Sequence, residues 1–149
     1  MRALVERVAS AQVVVDGEAV GQIEAGILVY LGVAEGDQEA DVEYICDKVR
    51  HLRIFPDDEG KMNRDVVEAG GGVLAISAFS LNADARKGRR PSFDPAARPE
   101  IAEPMYERLC ERLRGMGVRV ETGRFRTMMR VEAVNDGPIC ILLDSRRQF

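Results

Sequence analysis

The sequence predicts one α/β domain over residues 1–149, with a mixed, barrel-like β-sheet on which two main helices pack. Its 149 residues match the length of a single domain, which is roughly 150. Stretches with strand patterns also alternate with two segments of helical periodicity. Hydrophobic residues make up 46% and charged residues 31%. That balance is typical of a globular protein and excludes a disordered or collagen-like chain.

The first 33 residues read as strands joined by tight turns. Val13-Val14-Val15 runs into Asp16-Gly17, a dipeptide typical of a two-residue hairpin turn. Gly26 then opens the apolar run Ile27–Leu31. Because this run is hydrophobic on both faces, it predicts a central strand of the sheet.

A helix of about four turns is predicted next, because apolar residues recur at helical spacing. These residues are Val42, Ile45, Val49 and Leu52. Pro56–Gly60 reads as a turn. Gly70-Gly71-Gly72 leads into a second buried strand, Val73–Leu81. Phosphate-binding glycine loops follow a strand and open a helix, so a plain turn is the simpler interpretation of these glycines.

The C-terminal half begins with a long polar loop, Ala83–Pro99. A second amphipathic helix follows and is closed by Gly115 and Gly117. Its apolar positions are Ile101, Met105, Leu109, Leu113 and Met116. Two final strands, about Met128–Val134 and Ile139–Leu143, are expected to flank the turn Asn135–Pro138.

Residue usage argues against several classes of protein. The three cysteines are widely separated and form no C-x-x-C pair, and the single histidine, His51, cannot complete a zinc set with them, so neither a disulfide framework nor a structural metal site is expected. No cofactor is expected. His51 lies near a helix end, where a surface or capping role is the simpler interpretation.

The longest apolar stretch, Ala25–Ala34, has ten residues, against about 20 in a membrane-spanning helix. Charges at Arg2 and Glu6 argue against a signal peptide, so a cytoplasmic protein is expected.

The net charge of −4 gives no global attraction to a polyanion, so any nucleic-acid contact must come from a local basic patch. The long polar loop holds such a patch within five residues: Arg86, Lys87, Arg89 and Arg90. Unstructured loops longer than about 12–15 residues are often functional. From composition alone a solvated charge run is the simpler interpretation, and phosphate binding is the functional alternative.

Two further segments carry groups of chemical use. Ser77-Ala78-Phe79-Ser80 places two hydroxyls at the end of a buried strand. Cys140 follows Gly137-Pro138, a bond that adopts the cis form at a cost of about 0.5–1 kcal/mol. An unperturbed thiol is only about 3% thiolate at pH 7, and no base is visible beside Cys140, so burial is its simpler expectation. Cys46 and Cys110 fall at helical core positions and read as small buried hydrophobes.

Seven short segments match the sequence patterns of one enzyme family. They are Met1–Val8, Leu52–Phe55, Gly60–Asn63, Ala83–Gly88, Arg90–Phe93, Val120–Phe125 and Asn135–Pro138. Through them the chain resembles the D-aminoacyl-tRNA deacylase family, also called D-tyrosyl-tRNA deacylase, essentially from Met1 to Ser145. A match of this extent is more specific than any single short motif.

The resemblance implies a metal-free homodimer that hydrolyses the ester between a D-amino acid and the 3′-terminal adenosine of tRNA, a chiral proofreading step of translation quality control. It implies a cis Gly137-Pro138 bond that reaches from one subunit into the active site of the other, oriented by Arg7. The Ser-Gln-x-Thr strand end of the family falls on Ser77–Ser80. These four residues and Cys140 are the expected catalytic positions. The expected tRNA-binding residues are Arg86, Lys87, Arg89 and Arg90.

Three positions depart from the family pattern: Ala78 stands for glutamine, and Ser80 and Cys140 each stand for threonine. Cys140 replaces a good hydroxyl donor by a weak thiol donor. These changes matter if a threonine side chain is the nucleophile. They are tolerable if backbone N–H groups and the 2′-hydroxyl of the RNA carry the reaction. A backbone N–H near Ala78 or Phe79 would then stabilise the oxyanion, by about 2.7–4 kcal/mol for one donor.

The main chain can also distinguish the two configurations of the amino acid. Rigid carbonyls of Gly137-Pro138 would hold the α-amino group, so that a D side chain points outward and an L side chain meets the wall. Glycine has no side chain, so glycyl-tRNA would be accepted to some degree. Two alternatives remain open: an esterase variant with Cys140 as covalent nucleophile, and a relative that binds aminoacyl-tRNA ends without turnover.

Overall fold

The sheet is organised around its first strand, β1 (Arg2–Val15), which pairs antiparallel with three other strands. The computed structural model describes every residue from Met1 to Phe149. The other elements, in chain order, are β2 (Glu18–Ile23), β3 (Gly26–Gly32), α1 (Glu39–His51), β4 (Phe55–Pro56), β5 (Met62–Arg64), β6 (Gly72–Ser77), a 3₁₀ helix (Phe79–Asn82), α2 (Pro99–Gly115), β7 (Arg119–Thr122) and β8 (Arg130–Asp144).

β1 and β2 form the predicted hairpin. Asp16 and Gly17 have φ values of +50° and +79°, and a two-residue type I′ turn requires positive φ at both central positions. β3 lies between β1 and β6, which confirms the prediction of a central strand.

The main sheet has six strands in the order β2-β1-β3-β6-β7, with β8 paired to β1 outside this path. The β3–β6 and β6–β7 pairs are parallel and the others antiparallel, so the sheet is mixed. Its two ends curl towards each other until β2 meets β7. At that seam a Cβ added to Gly21 would lie 2.3 Å from the carbonyl oxygen of Thr122. The predicted barrel-like sheet is therefore confirmed as a nearly closed barrel.

The two helices pack side by side over one face of the sheet, as predicted. A cluster of 26 buried residues fills the space between helices and sheet, with Val42 and Ile45 from α1 and Leu109 and Leu113 from α2. A smaller cluster of seven lies on the opposite face, inside the curl of the barrel. Successive residues of β3 and β6 thus face the two cores in alternation, so both faces of these strands are buried.

The second buried strand is shorter than the predicted Val73–Leu81. β6 ends at Ser77, where its pairing with Leu31 of β3 ends. The next amide, that of Ala78, donates to the Leu31 carbonyl at 2.8 Å. The chain then turns into the 3₁₀ helix, because β3 itself ends one residue later and offers no further partner.

The prediction of two C-terminal strands flanking a turn is wrong. β8 is one strand of 15 residues, and both of its halves pair with β1. The chain does not reverse, because β1 is long enough to serve both halves. Asp136–Ile139 instead bulges out of the ladder opposite Arg7. We call this four-residue segment the excursion. Its Gly137-Pro138 peptide bond is cis.

The cysteines differ in burial. Cys46 and Cys110 are buried as predicted, and burial raises the pKa of their thiols to about 12 and about 11. Cys140 is exposed, so the expectation of burial is wrong. It lies on the outward face of β8, between the inward-facing Ile139 and Ile141.

Candidate active site

A mostly apolar cavity of about 760 Å³ opens at the carboxyl ends of the parallel strands β3 and β6. All four residues of the Ser77–Ser80 segment line it. The rest of the wall includes Val33, Phe93, Pro99, Ala102, Phe125 and Met129. The structure thus places the predicted strand-end residues in a concave, mostly apolar site, the kind of site in which small ligands usually bind.

Two aromatic rings flank the mouth of this cavity. Phe79 and Phe93 are 58% and 42% exposed, and their ring centroids lie 5.0 Å apart in an edge-to-face arrangement. Such large exposed aromatic side chains on a monomer indicate a binding surface.

The hydroxyls of Ser77 and Ser80 form no hydrogen bond with a histidine or a carboxylate, so neither is part of a nucleophile–base pair. The Ala78 amide is engaged by Leu31 and is not free for substrate. The amides of Phe79 and Ser80 begin the 3₁₀ helix, where the first N–H groups have no acceptor within the helix. The available backbone donors therefore lie at Phe79 and Ser80.

Sequence reasoning missed part of the cavity wall. Tyr30 of β3 lines the cavity, and burial together with the negative charge of Glu6 raises the pKa of its phenol, so it stays protonated at neutral pH. The segment Phe125–Met129 supplies the opposite wall. Only the resemblance of Val120–Phe125 to a family motif pointed towards that wall.

A second group of predicted residues lies around the excursion. The Arg7 guanidinium donates from Nε to the main-chain oxygen of Asp136 at 3.0 Å and from Nη1 to the Ile54 oxygen at 2.7 Å. Gly137 and Pro138 are exposed at the tip.

The side chain of Asn135 braces the base of the excursion. Its Oδ1 accepts the Ile139 N–H at 2.9 Å, and its Nδ2 lies 3.4 Å from Sγ of Cys140. Sγ of Cys140 is also 3.9 Å from Oε1 of Glu6. Cys140 therefore has polar neighbours but no imidazole.

Within one chain the two groups are far apart. Arg7 pairs with Ile27 of β3, whereas Ser77 pairs with Leu31, four residues further along the same strand. At about 3.3 Å per residue this is roughly 13 Å along the strand alone. Neither Gly137, Pro138 nor Cys140 lines the cavity of its own chain.

The basic loop lies beside the cavity, with Asp84 and Ser92 bridged at its base. The Arg86 guanidinium donates two hydrogen bonds to the Asp84 carboxylate, from Nε to Oδ1 at 2.8 Å and from Nη2 to Oδ2 at 2.6 Å. These contacts, and then the Arg86 N–H, hold the pKa of the Asp84 carboxyl well below its usual range. The other three loop cations are exposed and form no ion pair: Lys87, Arg89 and Arg90.

His51 ends α1 and contacts Asp47 one turn earlier, at 3.1 Å, which matches the expected surface and capping role. The chain has no group of three or more histidine, cysteine or acidic side chains placed to hold a metal ion. Neither helix has the length and apolar character needed to cross a bilayer.

Comparison with known proteins places the chain among close relatives. A family model described as D-Tyr-tRNA(Tyr) deacylase matches residues 4–144. A D-aminoacyl-tRNA deacylase of Symbiobacterium thermophilum is 59% identical over 149 residues, covering 100% of this chain and 99% of that protein. One of Anaeromyxobacter dehalogenans is 56% identical over the full length of both.

Solved structures share the fold. One described as c-Myc DNA Unwinding Element Binding Protein matches with a TM-score of 0.92 and 36% identity, over 97% of this chain and 98% of that chain. A probable eukaryotic D-amino acid tRNA deacylase matches with a TM-score of 0.78 and 17% identity, over 95% and 97%. The resemblance read from the sequence motifs is confirmed: the chain belongs to the D-aminoacyl-tRNA deacylase family, hydrolases that cleave the ester bond of D-aminoacyl-tRNA.

Proposed function

We propose that this chain hydrolyses D-aminoacyl-tRNA as a homodimer in which Gly137-Pro138 of one subunit completes the cavity of the other. One observation carries the proposal. The excursion that presents Gly137-Pro138 lies four residues along the sheet from the level of Ser77 and does not line the cavity of its own chain. A second copy brings the two groups together.

β8 offers the surface for that second copy. It pairs with β1 alone, so one edge of a 15-residue strand keeps its main-chain hydrogen-bonding groups unpaired. Val134 and Leu142 on it are 58% and 61% exposed. Long exposed edges with apolar side chains favour association with another chain. A specific dimer of this kind buries at least about 1,000 Å².

The chemistry proposed for the site relies on the main chain. The amides of Phe79 and Ser80 donate to the oxyanion that forms when water attacks the ester carbonyl carbon. The bond from that carbon to the tRNA ribose oxygen then breaks, releasing the free D-amino acid and tRNA. The neighbouring 2′-hydroxyl of the RNA supplies the polar assistance that Ser77 and Ser80, without a base, do not. Ala78 in place of glutamine is tolerated because its side chain is not required.

The exposed rings of Phe79 and Phe93 fit the terminal adenine. Base–aromatic stacking contributes about 1–3 kcal/mol per base. This contact sets the adenosine at the mouth of the cavity, with the aminoacyl ester directed towards the start of the 3₁₀ helix.

Selection for the D configuration is assigned to the main chain of the partner's excursion. Carbonyl groups of Gly137-Pro138 hold the α-amino group, so a D side chain points to solvent and an L side chain meets the wall. Glycine carries no side chain, so glycyl-tRNA is hydrolysed to some degree.

Contact with the body of the tRNA is assigned to the basic loop. Lys87, Arg89 and Arg90 supply the free positive charge, while the charge of Arg86 is largely balanced by Asp84. Since aminoacyl-tRNA is a substrate of translation, we place the protein in the cytoplasm.

A mixing experiment tests the composite site. Gly137→Ala disrupts the excursion, because the added Cβ would lie 2.7 Å from Cγ1 of Ile139 at a φ of +142°. Ala78→Trp fills the cavity. Each variant alone is expected to be inactive in deacylation of D-tyrosyl-tRNA, with L-tyrosyl-tRNA as the chirality control. In a refolded equimolar mixture, half of the dimers are mixed and one of their two sites is intact, which restores about a quarter of the wild-type rate. A mixture that stays inactive, or a fully active monomer in light scattering, would refute the shared site.

Binding without turnover is the second candidate function. It is favoured by one comparison, since the solved relative at 36% identity is described as a DNA-element-binding protein. Stoichiometric binding of D-tyrosyl-tRNA with no release of amino acid in a single-turnover assay would favour it over hydrolysis.

A further inference from the structure

A second cavity, of about 460 Å³, lies behind the wall of the candidate active site. We call it the arginine cavity, because the side chains of Arg2, Arg86 and Arg146 all line it. These residues come from β1, from the basic loop and from the C-terminal segment, so the fold brings three distant parts of the chain together around one polar space.

The two cavities share a thin wall. Val33 lines the active-site cavity and its neighbour Ala34 lines the arginine cavity; Ala96 and Pro95 are divided in the same way. An isolated bridge between Ala34 and Ala96 and a 2.9 Å hydrogen bond from the Ala97 amide to the Val33 oxygen hold the wall together. Adjacent residues of the same segment therefore line the two cavities.

Two of the guanidinium groups keep donors free. Arg86 uses Nε and Nη2 on Asp84, and Arg146 uses Nη2 on the Glu35 oxygen and Asp37. Nη1 of each has no acceptor in the protein. The Arg146 side chain is 47% exposed, so solvent or a ligand reaches its free edge.

The charges of the lining suit one anionic group. The lining carries four positive charges, those of three guanidinium groups and the Met1 ammonium. Three carboxylates balance them, Asp84 and Asp144 in the lining and Asp37 paired with Arg146 and Met1, which leaves one positive charge in excess. A phosphodiester carries one negative charge, and the planar guanidinium fork matches phosphate oxygens. Asn82, also in the lining, is buried with its Nδ2 unpartnered. The polar groups of this space are thus not saturated by the protein itself.

We propose that the arginine cavity binds the phosphodiester that joins the terminal adenosine of tRNA to the preceding nucleotide, through Nη1 of Arg86 and Nη1 of Arg146. The inference rests on the proposed function, which sets the terminal adenosine in the neighbouring cavity. The strand then passes over the shared wall within one nucleotide step.

Two substrates separate this inference from the function on which it rests. D-tyrosyl-tRNA carries the phosphodiester, whereas D-tyrosyl-adenosine ends at the ribose and reaches only the active-site cavity. Arg146→Gln is expected to raise KM for D-tyrosyl-tRNA about tenfold, the loss typical of one charge-assisted hydrogen bond. Its kcat, and both constants for D-tyrosyl-adenosine, stay within about twofold of wild type.

The matched control is Arg147→Gln. Arg147 is adjacent in sequence, does not line the arginine cavity, and packs its guanidinium over Tyr44 at 5.5 Å. It is expected to leave KM unchanged for both substrates. Because Arg146 also contacts Glu35 and Asp37, Arg86→Gln serves as a second variant: its side chain is exposed and bonds only to Asp84.

Each outcome decides the matter. Equal losses on both substrates, or no loss on either, would overturn the phosphodiester assignment. If adenosine monophosphate binds in an Arg146-dependent way while KM for D-tyrosyl-tRNA does not change, the cavity holds a free nucleotide and the assignment is also overturned. If wild type hydrolyses neither substrate, the proposed function fails. Weaker binding of tRNA by Arg146→Gln than by Arg147→Gln then supports the arginine cavity on its own, and equal binding rejects it.

Discussion

The guanidinium of Arg7 donates from Nε to the main-chain oxygen of Asp136 at 3.0 Å, immediately before Gly137. The same group donates from Nη1 to the Ile54 oxygen at 2.7 Å, and the Arg7 side chain is only 12% exposed. A largely buried cation thus ties the start of the excursion to the segment that follows α1. Asp136–Ile139 lies outside the strand pairing, so this contact and the hydrogen bond from the Ile139 N–H to Asn135 hold the excursion in place of ladder hydrogen bonds.

Arg7→Ala is expected to lower kcat for D-tyrosyl-tRNA about tenfold to a hundredfold, because hydrogen bonds to a charged group contribute about 1.5–3 kcal/mol. Arg7→Lys restores part of the rate, since an ammonium reaches one acceptor but not both. Single-turnover deacylation measures both variants. Arg108→Ala, which breaks only an exposed ion pair with Glu39, is the control. Wild-type kcat in Arg7→Ala, with the dimer intact, would contradict the positioning role.

Replacing Lys87, Arg89 and Arg90 together by alanine is expected to weaken tRNA binding and to flatten its dependence on salt. Each phosphate contact to single-stranded RNA adds about 0.7 to the slope of log K against log salt, so three add about 2. Binding is measured over a range of KCl concentrations. A triple variant at Lys61, Arg108 and Arg112 removes the same charge from cations already in ion pairs. If both triple variants change the slope equally, the loop is only a solvated surface.

Cys140→Ala is expected to cost at most about tenfold in the single-turnover rate, or about 1.4 kcal/mol in the barrier. Sγ of Cys140 has only an amide and a distant carboxylate as polar neighbours, and no base to activate it. Cys140→Thr, which restores the family residue, should keep or raise the rate. A covalent nucleophile behaves differently, since its removal costs orders of magnitude more. A thousandfold loss in the alanine variant would establish the cysteine mechanism instead.

Acid is expected to weaken the fold in part through Asp65. Burial raises the pKa of this carboxyl, but hydrogen bonds from the Glu68 amide and Arg50 outweigh burial and leave its pKa below the usual value. A depressed pKa in the folded state adds stability above about pH 4, and this stability is lost as the pH falls through the folded pKa. The difference in urea stability between wild type and Asp65→Asn should therefore be largest at pH 7 and should shrink as the pH falls through about 4 and below. A constant difference across that range would show that the ionisation of Asp65 does not matter.

The sequence correctly predicts the elements whose formation is determined by neighbouring residues. The Asp16-Gly17 hairpin and both amphipathic helices follow from turn chemistry and from period 3.6, which neighbouring residues determine. The family can also be recognised from the sequence, because each of its motifs is a short contiguous run of residues.

Long-range pairing explains what the sequence did not show. Local patterns predict two strands in place of β8 because Gly137-Pro138 is typical of a turn, yet β1 is long enough to pair with both halves. They also predict that β6 runs to Leu81 because its residues stay apolar, although its partner β3 ends at Gly32. The availability of the Ala78 amide is settled by the Leu31 oxygen on another strand. None of these contacts leaves a mark in local periodicity.

The excursion changes the core that β8 serves. Before it, Val131 packs on the smaller cluster inside the curl of the barrel; after it, Ile141 and Leu143 pack with the large cluster under the helices. These residues are all odd-numbered and would face one side in an unbroken strand, so the excursion turns the strand from one core to the other. A single long strand thereby contributes side chains to both faces of the sheet, and removing or adding one residue in the excursion would turn the residues after it over and expose Leu143.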